Sequence, residues 1–147
     1  MAIGGKIKLE GAKELVAKLE KLEANIQKKI LKNALRLAIE PIANAAQARA
    51  PIETGALRSA IRVRAMTRMR QGTVGVKVDL RGGVTGEQFY GSFQEFGFKV
   101  GRRALGSQRT QIPGKHFLEI AFNTNKEFAL SIFEREVKSA IEQEAAA

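Results

Sequence analysis

The side chains able to do chemistry in this chain are few, and their spacing argues against catalysis. There is no cysteine, which removes disulfides, thiolate nucleophiles and sulfur-ligated zinc together. There is one histidine, His116, so a histidine-rich metal site is excluded and a serine triad has only that residue as its base. Thr54 and Ser59 have no base near them in sequence, and hydroxyls in such positions are most simply helix caps. The acids of the middle region, Asp79, Glu87 and Glu95, are scattered and suggest no metal pair. Residues 81–86, Arg-Gly-Gly-Val-Thr-Gly, are glycine-rich but lack the lysine-serine/threonine ending of a phosphate cradle. No enzyme, cofactor or metal is expected.

What stands out is arginine. Arg62, Arg64, Arg68 and Arg70 fall on alternate positions, and Lys99, Arg102, Arg103 and Arg109 lie in a later glycine-containing stretch. The net charge of +10 is uneven. Residues 1–57 hold ten Lys/Arg against six acids, residues 58–115 twelve against three, and residues 116–147 three against six. The middle is therefore strongly basic and the end acidic. The planar fork of arginine suits phosphate and carboxylate partners, because it pairs with two oxygens at once. The plainer role of such charge is solubility.

The elements that must position these residues follow from hydrophobic period. Ile7 and Leu9 alternate with lysine, which predicts a short strand over residues 6–10 that needs a partner. From Ala12 the period is helical: Leu15, Leu19, Leu22, Ile26 and Ile30, then a wider face through Ala34, Ala38, Ile42 and Ala46. A break near Leu22 divides a short helix from a long one, with Asn25 as the candidate cap of the second. Pro41 predicts a kink, or a helix that ends at Glu40 and restarts. The width of the apolar face implies cover from more than one side, by the domain or by another subunit.

At residues 50–61 the period changes. Pro51 disfavours helical geometry at Ala50 and stops the long helix. Thr54 is the expected cap of a short helix over residues 55–60, Gly55 permits a tight turn, and Leu57 with Ile61 shares one buried face. Arg58 is expected to point outward. A hairpin follows: Ile61, Val63 and Ala65 face the core, the arginines face away, Gln71-Gly72 turns the chain, and Val74 to Leu80 alternate back. Phe89, Tyr90, Phe93 and Phe96 match a helical turn that Gly97 ends. The simplest role of that turn is a core plug, the alternative being stacking on nucleic acid. Glu95, an acid among aromatics, is expected to pair with an arginine of this or a neighbouring subunit. Residues 98–112 read as a long, flexible basic loop. A last helix opens after Pro113 at His116-Phe117 and frays at residues 143–147.

Three segments together resemble the tail-component family found at the neck of long-tailed bacteriophages. They are Ala50-Pro51-x-x-Thr54-Gly55-x-Leu57-Arg58-x-x-Ile61 after a long helix, Tyr90-x-x-Phe93-x-Glu95-Phe96-Gly97 after a hairpin, and Pro113 followed by Phe117-Leu118-x-x-Ala121. Each is weak alone. Their order and spacing extend from about Leu31 to Ala140. The chain departs from the pattern at Ala60, where the family often has serine, and in its long basic loop.

The resemblance implies an α+β fold, with the long N-terminal helix and the C-terminal helix packed on a small antiparallel sheet, in one domain. It implies a homo-oligomeric ring, a hexamer, between the head-closure or connector protein and the tail terminator or tail tube. It places the chain in the virion, with the host cytoplasm as the site of assembly, and implies no enzymatic activity and no membrane partner. Pro51, Thr54, Gly55, Leu57, Glu95 and Gly97 would then form a structural corner. Arg58, Arg62, Arg64, Arg68, Arg70, Lys99, Arg102, Arg103 and Arg109 would face neighbouring proteins or DNA in the channel. The competing expectation is a free nucleic-acid-binding protein that uses the same arginines.

Overall fold

A computed structural model describes residues 13–52, 55–66, 70, 73–81, 86–100 and 110–146. The strand expected at residues 6–10 lies outside them.

Two long helices carry the fold. Helix α1 (Lys13–Glu20) is short and turns into α2 (Ala24–Arg49). The turn is closed differently from the expectation: Glu23, not Asn25, holds the N-cap position and makes no side-chain cap bond. Instead the Gln27 amide donates to the Leu22 carbonyl at 2.6 Å, so the break is tied from inside the second helix. Helix α2 runs through Pro41 without ending at Glu40. Its last bond is from the Ala50 N–H to the Ala46 carbonyl at 2.9 Å, after which Ala50 is extended, as the following proline requires.

The corner follows as α3 (Ala56–Ala60) and leads directly into β1 (Ile61–Ala65), which pairs antiparallel with β2 (Val76–Leu80). The register explains the alternation. Ile61 faces Leu80, Val63 faces Val78 and Ala65 faces Val76, while Arg62 faces Asp79 and Arg64 faces Lys77. Apolar rungs thus meet apolar rungs on one face and ionic rungs meet on the other. Gln71-Gly72 and Arg68 lie outside the described residues, and the Thr73 N–H donates to the Arg70 carbonyl at 3.0 Å.

Helix α4 (Glu87–Phe96) runs into β3 (Gly97–Val100), which pairs antiparallel with β4 (Thr110–Pro113). Both ends of the stretch expected to be loop are therefore strand, and the described residues form two small sheets where one was expected. Arg102, Arg103 and Arg109 lie outside the described residues. The last described element is α5 (Phe117–Ala146), which stays helical to Ala146, within the stretch expected to fray.

The most extensive contact in the fold is between α2 and α5. Alanines line it: Ala34, Ala38, Ala43 and Ala46 on α2, and Ala121 and Ala129 on α5, are all buried. Small side chains at those positions let two backbones approach closely. The core has two centres. One lies at the corner and contains Ala46, Ala50, Leu57, Ile61, Leu80 and Phe117, with Tyr90 and Leu118 packed on it. The other joins Ile30 and Ala34 to Val137 and Ile141, and α1 covers it with Leu15 and Leu19. Truncating a fully buried residue such as Phe117 to alanine would cost about 3–5 kcal/mol.

Candidate functional site

The arginine face is real, but it has an acid at its centre. Asp79 on β2 accepts from Arg62 Nε at 3.1 Å and from Arg64 at 3.4 Å, and lies 3.2 Å from Lys77 Nζ. Partial burial pushes the Asp79 carboxyl up, yet the hydrogen bonds and charges of Arg62 and Lys77 outweigh it, so the group is held below its ordinary value. Three cations on one acid leave this patch basic, and they also fix the arginine side chains in place. In the sequence Asp79 stands out only as a scattered acid, not as a partner of the arginines. The signal available was its position opposite Arg62 in a two-residue alternation.

Arg58 turns inward, contrary to expectation. Its Nε donates to the Gln47 carbonyl at 2.9 Å, near the end of α2, where carbonyls lack helical partners and the dipole favours a cation. The Gln47 amide in turn donates to the Ile61 carbonyl at 3.2 Å. The two bonds tie α2 to both ends of the corner. Pro51 is half-buried, Leu57 is buried, and Thr54 lies outside the described residues. The N-cap of α3 is Gly55, not Thr54, with φ of 77°, a left-handed conformation that glycine adopts without penalty. Arg70 and Lys99 are exposed.

Among the described residues Glu95 meets no arginine of its own subunit. It is 1 % exposed, and its carboxylate accepts the backbone N–H groups of Leu118 at 2.8 Å and Glu119 at 3.0 Å. It thus caps α5 from another helix, supplying negative charge to the positive end of the dipole. His116, with φ of 49°, occupies the local cap position, and its carbonyl accepts the Ile120 N–H at 2.9 Å. Its Nδ1 lies 3.0 Å from Glu119 Oε2 at the surface. Gly97 ends α4 with φ of 78°, and its missing side chain leaves room for the Ile112 carbonyl. Gly114 likewise accommodates the Glu95 carbonyl.

Glu95, His116 and Glu119 bring three possible ligand atoms within 4.8 Å of one another. The cluster is poorly suited to a cation. Both Glu95 oxygens are already held by N–H groups, and the helix terminus they cap is electropositive. Asp79, on β2, does not join it.

The aromatic helix also departs from expectation. The face of α4 against the core carries Gly91 and Glu95, with Tyr90 beside them, and Gly91 sits against the Leu57 and Leu80 side chains. Phe89, Phe93 and Phe96 form the opposite stripe. Phe89 is 51 % exposed and Phe96 40 %, so they do not plug the core. Phe93 stacks edge-on against Phe89 at 4.5 Å between centroids and leans on Phe98 of β3 at 5.3 Å. Val100 and Ile112 on the adjoining hairpin are exposed as well. Among the described residues no helix is long and apolar enough to cross a membrane.

These features define a small α+β protein with an arginine-rich face and a partly exposed aromatic stripe. The chain belongs to the HK97-gp10-like family, described as "Bacteriophage HK97-gp10, putative tail-component", whose model matches residues 13–97, more than half of the sequence. It is accordingly a bacteriophage tail or neck structural protein. Searches of curated proteins and of solved structures give no match.

Proposed function

We propose that the protein forms a homo-oligomeric ring, a hexamer, at the head–tail junction of a long-tailed phage, joining the head connector to the tail terminator or tail tube around a channel for DNA. The observation that carries this reading is the aromatic stripe of α4, exposed at Phe89 and Phe96 around half-buried Phe93, and extended by half-buried Phe98 and by exposed Val100 and Ile112. A contiguous apolar surface of this kind on a small domain marks an interaction site. Closed rings need heterologous surfaces related by rotation, and one stripe per subunit can supply half of each contact. Arg62 and Arg64, with Arg68, Arg70 and the basic stretch Lys99, Arg102, Arg103 and Arg109, would meet acidic surfaces of neighbouring rings or the DNA. Arg58, turned into the corner, is removed from that set.

The test is negative-stain electron microscopy and light scattering of the purified protein, with analysis of virions. Rings, and the protein at the neck, are expected. Phe89→Ser with Phe96→Ser should abolish the rings and leave the monomer folded, because both side chains lie on the surface, about half exposed. A wild-type chain that stays monomeric at every concentration and is missing from virions would overturn the proposal.

A further inference from the structure

The ionic face of the β1–β2 ribbon and the end of α5 carry opposite charge. On the ribbon, Arg62, Arg64 and Lys77 surround Asp79, three cations to one acid. Their side chains are 40 %, 50 % and 43 % exposed, so a partner can reach them. Asp79 also holds them in place, which lowers the entropy cost of docking. On α5, Arg135 is already engaged by Glu136 at 3.2 Å. Beyond Lys138 the charged residues are Glu142 and Glu144, both exposed, and the last turn of the helix holds no base. The surplus of two positive charges on the ribbon thus matches two carboxylates on the helix.

Within one subunit the two surfaces lie apart. Arg62 adjoins Ile61, in the cluster of Ala46, whereas Glu142 adjoins Ile141, in the cluster of Ile30. Ala46 and Ile30 are sixteen residues apart on α2, roughly 24 Å of helix. That is more than twice the screening length of about 8–10 Å, so Arg62 and these glutamates barely attract each other inside the subunit. Between copies the same charges can come into contact. A DNA backbone would lay a continuous run of phosphates across Asp79, the acid at the centre of the face, and like charges there oppose docking. Two discrete carboxylates can instead meet the cations at its rim.

We propose that the Arg62, Arg64 and Lys77 face of one subunit docks on Glu142 and Glu144 of the next copy, as the ionic part of the contact that repeats around the ring. The two surfaces differ, so the contact is heterologous, the kind that closes a ring by rotation. Complementary charge of this sort steers association and fixes its register. The inference rests on the ring reading above and narrows it: for Arg62 and Arg64, the acidic surface met is that of a second copy of this chain.

Charge reversal and charge exchange test it, with self-association of the full chain followed by analytical ultracentrifugation and folding by circular dichroism. Arg62→Glu with Arg64→Glu, and separately Glu142→Lys with Glu144→Lys, should each weaken self-association at least about tenfold. Combining all four substitutions should restore it to within about threefold of wild type. Raising salt from about 0.05 to 0.5 M should weaken the wild type and the exchanged protein alike. Should the ribbon variant unfold, the α5 variant decides alone, since both of its side chains are exposed. Rings that survive the reversals, or no recovery in a folded fourfold variant, would overturn this contact and leave the ring standing. Intact rings with duplex DNA binding lost in the ribbon variant would assign the face to DNA and overturn it too. A wild-type chain that stays monomeric at every concentration overturns the ring and the contact together.

Discussion

Glu95→Gln is the substitution that most directly probes how the two halves of the fold are joined. The wild-type carboxylate takes the Leu118 N–H at 2.8 Å and the Glu119 N–H at 3.0 Å, in a site 1 % exposed. The amide keeps one acceptor and turns its NH₂ toward the other N–H. One charge-assisted bond, worth about 1.5–3 kcal/mol, is lost, and a buried donor is left unsatisfied. The favourable interaction with the helix dipole, about 0.3–2 kcal/mol, goes as well. Relief from burying a charge offsets part of this. A net loss of about 2–4 kcal/mol is expected, a large share of the ~5–15 kcal/mol that holds a domain folded. Urea denaturation followed by far-UV circular dichroism should show a lower midpoint at unchanged slope. Glu95→Asp, which keeps the charge but is one methylene too short, should fall in the same range. Glu119→Gln, whose side chain is half exposed, should cost no more than about 0.5 kcal/mol. If Glu95→Gln proves as mild as Glu119→Gln, the cap does not hold the fold.

Two further outcomes follow from the same geometry. Asp79→Asn leaves Arg62, Arg64 and Lys77 to repel one another, and should cost about 1 kcal/mol at neutral pH. Because the Asp79 carboxyl is held low in the folded chain, its contribution is complete above the ordinary carboxylate range, near pH 4, and fades as pH falls below it. The variant should therefore lose less stability than wild type between about pH 4 and 2, and parallel curves would count against the cluster. Gly97→Ala directs a Cβ at the Ile112 carbonyl, with the Gly114 nitrogen 2.7 Å away, and should cost more than about 2 kcal/mol. Gly55→Ala has the same left-handed backbone but nothing within 4 Å, so about 1 kcal/mol is expected. Equal thermal shifts for the two glycines would mean that backbone strain alone, not the close approach, sets the cost.

Where a periodic face met a partner of matching period, the sequence was a good guide. The long helices and the two-faced alternation of β1 and β2 follow from spacings of three to four and of two, whereas the pairing of Ile61 with Leu80 lies two residues away from what a turn at Gln71-Gly72 would set. The β3–β4 pair was hidden because its four-residue strands are largely exposed and carry no sustained alternation. Arg58 was placed outward by helical spacing, but the unpaired carbonyl of Gln47 outweighed that preference. The phenylalanines of α4 were expected inside by residue type. The helix buries only one face, however, and Gly91 and Glu95 occupy it. The function of Glu95 was the least legible, because its partners are backbone N–H groups 23 and 24 residues away, with no residue type to mark them. One sign was present. The last helix opens at His116-Phe117 with no serine, threonine, aspartate or asparagine to cap it, so a cap had to come from elsewhere.

The three segments that carried the family resemblance turn out to meet in space. Leu57 of the corner touches Gly91 of α4, Glu95 of the same helix caps α5, and α5 returns Phe117 and Ala121 to the cluster that holds Leu57. Each contact fixes the placement of the next, so the loop of contacts closes on itself. What it holds in place is the base of both hairpins: β1 leaves the corner at Ile61, and β3 leaves α4 at Gly97. The ionic face of the first hairpin and the phenylalanine stripe beside the second are thereby aimed by buried residues that do not belong to either surface. Damage at the junction should therefore appear first as lost stability, whereas damage at Phe89 or Phe96 should leave stability intact and appear only in what the protein binds.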